Sequence, residues 1–166
     1  MFKVIIYILV LFQLSACEKA SKSTVSTKKQ VTDASCLTTQ SQCQVNTELG
    51  SFLVKFSQSQ LNLSKEGLQQ IQTEQPFSIT LNSVNPDLSM NKIKAVSAYL
   101  EGKDMFMGKV PVLFNKEEVG DMFVASSLLA SCSEDIMVWR LWLTVKMANQ
   151  QDSEQSFFID FESIRL

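Results

Sequence analysis

The stretch "IMVWRLWLTVKM", residues 136–147, alternates with a period of two. Met137, Trp139, Leu141, Leu143 and Val145 point one way; Val138, Arg140, Trp142, Thr144 and Lys146 point the other. Successive side chains of an extended chain leave opposite faces, so the pattern predicts a long strand with one buried face. The alternation recurs on both sides of it. "SFFIDFESI" (156–164) sets Phe157, Ile159 and Phe161 against Phe158, Asp160 and Glu162. "KVPVLFN" (109–115) puts Val110, Val112 and Phe114 on one side with Pro111 outward. A proline has no N–H for a sheet ladder, which predicts an edge strand there. "FLVKF" (52–56), "FSITLN" (77–82), "IKAVSAYLEG" (93–102) and "MFVASSLL" (122–129) read as strands too. Seven short strands with polar turns between them predict an all-β fold, an immunoglobulin-like antiparallel β-sandwich. Only "LSKEGLQQIQ" (63–72) offers a helical turn or two, and the sequence holds no internal repeat.

Strand parity then groups the loops. If each strand reverses direction, alternate connections fall at one end of the sandwich. The connection at 58–76, the loop with Met105 and the loop with Cys132 should share an end, although they lie far apart in sequence.

The chain opens "MFKVIIYILVLFQLSAC". Lys3 makes a short positive region, and Val4 to Phe12 is an uncharged apolar run. At 1.5 Å per residue this run is too short for a ~30 Å hydrocarbon core and fits the core of a secretory signal peptide. "LSAC", Leu14 to Cys17, resembles the bacterial lipobox. The resemblance implies cleavage before Cys17, with residues 1–16 as signal peptide and Cys17 diacylated. Such an anchor would hold the protein at a membrane, facing the periplasm, with the outer membrane as its expected place. Residues 18–35, "EKASKSTVSTKKQVTDAS", are mostly Ser, Thr and Lys with no aromatic. They bury too little apolar surface to fold, so 17–35 reads as lipidated cysteine and tether, with a reach of roughly 25 Å. Residues 36–166 suit one domain.

Composition excludes several functions. Of 15 Lys and Arg and 17 Asp and Glu, five basic and two acidic residues precede residue 36. The domain therefore carries ten against fifteen, too acidic for a nucleic-acid face. The chain has no histidine. That removes Ser-His and Cys-His nucleophile systems, the commonest general base and most zinc, iron and Cu(II) sites. Five glycines form no phosphate-cradling loop. The carboxylate pairs Glu117–Glu118 and Glu134–Asp135 fall in expected turns, so no enzymatic activity is expected.

Sulfur is the remaining chemistry. With Cys17 acylated, three cysteines are left. Cys36 and Cys43 flank the short "LTTQSQ" and are the favoured disulfide; a Cys132 bridge to either is the competing pairing. Free Cys132 would join Met105, Met107 and Met137 as a soft donor set. Thioethers and a thiolate without imidazole select Cu(I) over zinc or hard cations. The competing reading is packing: methionine fills irregular gaps well, and Met137 lies on the apolar face of its strand.

The order "GKDMFMGKVPV", a glycine-led strand at Gly120, Cys132 and "MVWRLWLTV" resembles the periplasmic FixH/YtkA-like families. The likeness covers residues 93 to 147, about a third of the chain. Met107–Gly108 matches the family's methionine-glycine element, Gly120 the glycine before the next strand and Trp139 its core tryptophan. The resemblance implies an immunoglobulin-like sandwich and an association with copper delivery or cytochrome oxidase assembly beside Sco-type chaperones. This chain departs from the pattern by lacking histidine and a membrane helix of the FixH kind, and by adding Cys132. The two functional expectations are thus a tethered Cu(I)-binding protein and a metal-free structural or interaction module. The second would use Trp142 as the outward anchor for another envelope protein, the competing reading being that Trp142 packs under a loop or a second layer.

Overall fold

The computed structural model describes residues 42–58, 71–148 and 153–165. The signal peptide, Cys17, the tether, Cys36 and residues 63–70 of the expected helical turn lie outside the described residues. Among the described residues ten strands follow one another: β1 (Gln42–Thr47), β2 (Gly50–Ser57), β3 (Ile71–Gln72), β4 (Phe77–Ser83), β5 (Ile93–Gly102), β6 (Val110–Leu113), β7 (Asn115–Lys116), β8 (Phe123–Ser127), β9 (Ile136–Met147) and β10 (Glu154–Ile164). They make two five-stranded sheets, β1-β2-β4-β8-β7 and β3-β10-β9-β5-β6. All pairings are antiparallel except that of β3 with β10, which is parallel.

The seven expected strands are β2, β4, β5, β6, β8, β9 and β10. They divide as β2-β4-β8 facing β10-β9-β5-β6, an immunoglobulin-like arrangement in which the fourth strand joins the third. Pro111 is exposed on β6, the edge of its sheet, as its missing donor requires. After Phe114 the chain crosses over, and β7 pairs with β8 in the other sheet. Three strands were not expected from sequence. β1 presents only Cys43 and Val45 inward among Gln and Asn residues, too weak an alternation to read. β3 and β7 are two residues each. Ile71 and Gln72, placed in a helical turn by their sequence pattern, instead extend along β10.

Burial follows the alternation. Met137, Trp139, Leu141, Leu143 and Val145 are all buried on β9, facing Phe52, Val54, Phe56, Ile79 and Leu81 in one core. Burying each such side chain contributes about 1.5–3 kcal/mol. Phe52 stacks on Phe157 across the sheets at 5.6 Å, and Phe56 meets Phe161 at 4.6 Å. The one indole nitrogen in that core is satisfied: Trp139 Nε1 donates to Ser163 Oγ at 3.1 Å.

One end of the sandwich collects the end of β2, the start of β4, the end of β5, the end of β8, the start of β9 and the end of β10. Pairings of Ser57 with Ser78, Phe77 with Ser127, Gly102 with Trp139 and Ile136 with Ile164 fix this. The segment before β4 is tied there to both sheets. Thr73 N–H donates to the Ile164 carbonyl at 3.0 Å and Glu74 N–H to the Leu129 carbonyl at 2.8 Å. The buried Gln58 amide also holds it, donating to the Gln72 and Gln75 carbonyls, both at 3.0 Å.

Candidate functional site

At this end β5 finishes against β9. Lys103 N–H donates to the Val138 carbonyl at 3.0 Å, closing the ladder. The chain then doubles back so tightly that a Cβ on Gly102 would collide with the Met105 carbonyl oxygen. This turn aims Met105 toward the 128–135 loop. There the Cys132 thiol donates to Met105 Sδ at 3.1 Å, joining residues 27 apart in sequence. Both residues are half-buried. Strand parity predicted that these two loops share an end, and the contact is its most specific consequence.

The Cys132 thiol sits below its usual pKa. The Glu134 backbone N–H contributes most, followed by the Ser133 hydroxyl, against burial and the Glu134 carboxylate. Ser133 Oγ lies 3.8 Å from the sulfur. Hydrogen bonds to a sulfur favour its anion, and the thiolate is the form that binds metals. Among the described residues no three Cys, Asp or Glu side chains cluster as metal ligands. The donor set brought together is therefore soft: one thiol and one thioether.

The other sulfurs fall elsewhere. Met107 is half-buried on the same loop and packs against the core; its Cγ would be 3.4 Å from a Cβ on Gly102. Met105 and Met107 do not share one side of a strand, as residues two apart in an extended chain would, because residues 103–109 form a loop with Gly108 at φ +74°. Met137 is 6% exposed and belongs to the core, as its place on the inward face of β9 requires. Cys43 is buried on β1 and disulfide-bonded, and Cys132 is free. The partner of Cys43 lies outside the described residues, so its pairing with Cys36 stays a proposal.

Two features escaped the sequence reading. Phe106, between the two loop methionines, is 97% exposed. Its outward place follows from the turn at Gly102, which no periodicity announces. The second is on the outward face of β5, β9 and β10. Trp142 is flanked there by Tyr99 at 6.2 Å and Phe158 at 4.9 Å, with its Nε1 donating to Glu101 Oε1 at 2.6 Å. Arg140 lies 3.9 Å from the Phe158 ring centre. Trp142 is thus half-covered by its neighbours, not a free anchor. A shallow cavity of about 340 Å³ opens beside Ser57, Gln58, Phe77 and Ser126, with no titratable side chain among the described residues that line it.

No protein-family model matches the chain, and no curated protein matches it in sequence.

Proposed function

We propose that this is a lipid-anchored envelope protein, without enzymatic activity, that binds Cu(I) at the Met105–Cys132 end of its sandwich. The observation that carries this reading is the 3.1 Å approach of a thiol to a thioether from separate loops. Cys132 and Met105 would hold the metal once the thiol has given up its proton, the two loops spreading to admit the ion. Cys132 would supply the anionic ligand and Met105 the neutral one, with Met107 the next soft donor along the loop. Because the thiol must lose its proton, binding should release a proton and weaken as pH falls. Two exposed or half-exposed loops leave the site reachable by another protein, which suits acceptance and hand-over. The resemblance of residues 93–147 to FixH/YtkA-like proteins points the same way, toward copper delivery for cytochrome oxidase assembly.

Mass spectrometry of the folded, reduced protein with and without Cu(I) tests the reading. One bound copper is expected, lost or greatly weakened in Cys132→Ser. Copper uptake that is absent, or unchanged by that substitution, would reject it. The metal-free interaction module is then the alternative, and Phe106 favours it. A partner would bury that ring, so Phe106→Ala, not a change at Trp142, should weaken the association.

A further inference from the structure

A row of charge lies beside the aromatic row on the outward face of β10, β9 and β5. Strand register sets Asp160 opposite Arg140, and Arg140 opposite Glu101. Arg140 grips the Asp160 carboxylate with two donors, Nε to Oδ1 at 2.7 Å and Nη2 to Oδ2 at 2.9 Å. One guanidinium already balances that carboxylate, yet a second cation reaches it. Lys103 Nζ lies 3.1 Å from Asp160 Oδ2, whose side chain is 5% exposed. Lys103 is the first residue of the loop that carries Met105, while Asp160 stands two strands away. A pair between two freely moving surface side chains would contribute little. Here the carboxylate is fixed by a bidentate fork and shielded from water, so it offers the lysine one position. With its N–H on the Val138 carbonyl as well, Lys103 is held at both its backbone and its tip.

We infer that Asp160, acting through Lys103, is a positioning residue that seats the Met105 loop against Cys132, so that the sulfur pair is formed before any metal arrives. The consequence for metal affinity rests on the Cu(I) reading above; the seating is a property of the metal-free chain. The test uses the full chain in detergent, reduced and metal-free, with iodoacetamide alkylation of Cys132 followed by peptide mass. Lys103→Gln keeps the Arg140–Asp160 pair and removes only the tie to the loop. Cys132 should then react several-fold faster than in wild type, with Lys103→Arg restoring the slower rate and the melting temperature little changed. In a Cu(I) titration Lys103→Gln should raise Kd about 10-fold. Equal alkylation rates in wild type and Lys103→Gln would overturn the inference, as would a faster rate fully explained by a lower melting temperature. A wild type that takes up no copper while Lys103→Gln still exposes Cys132 would sink the copper reading and leave the seating intact.

Discussion

Met137 and Met105 carry the same side chain into opposite surroundings. Met137 is held on the inward face of a twelve-residue strand, inside the core. Met105 is half-buried in a loop, with its sulfur against a thiol. Truncating a buried methionine removes its transfer energy and leaves a cavity, so Met137→Ala should cost about 2–5 kcal/mol in urea unfolding. Met105→Ala should cost less than about 1 kcal/mol while weakening Cu(I) binding. Equal destabilisation by both would make Met105 a packing residue. The difference between them was half legible in sequence. Met137 sits in an alternating run whose inward phase is set by Trp139 and Leu141. Met105 sits where the chain turns, and turn geometry leaves no periodic trace.

At the scale of elements, the turn after β5 decides where the sulfurs go. Gly102 is needed there because the Met105 carbonyl occupies the space a Cβ would take. Gly102→Ala should therefore displace the loop, costing about 1–3 kcal/mol and shifting the NMR signal of the Met105 methyl group. An unshifted signal at unchanged stability would show that the loop is not set by this approach. Long strands were readable from their period, and strand parity correctly placed the 103–109 and 128–135 loops at one end. β1 was not readable, since two inward side chains among glutamines and asparagine do not make a clear alternation. Asp160 was legible as an outward residue but not as a buried one. Its exposure depends on Arg140 arriving from the next strand and Lys103 from the loop after β5, and burial alone would push its carboxyl up; their hydrogen bonds outweigh that and hold it below its usual value.

In the whole molecule, the described chain enters at the end that bears the sulfur pair. β1 begins at Gln42 opposite Lys55, near the end of β2 where the Met105 and Cys132 loops gather. If Cys17 carries lipid, the site lies at the end of the sandwich nearest its point of attachment. Cys17→Ser should then move the protein from the membrane fraction to the soluble periplasmic fraction or leave an unacylated precursor. Undiminished membrane association with acylation would show that Cys17 is not the anchor. X-ray absorption of the Cu(I)-loaded protein reads the atoms that hold the metal. If Met105 and Cys132 bind it, copper should have sulfur neighbours alone in wild type, fewer sulfur neighbours in Met105→Leu, and some oxygen or nitrogen neighbours in Cys132→Ser. A wild-type shell of oxygen and nitrogen, or a sulfur shell indifferent to both substitutions, would contradict binding by this pair.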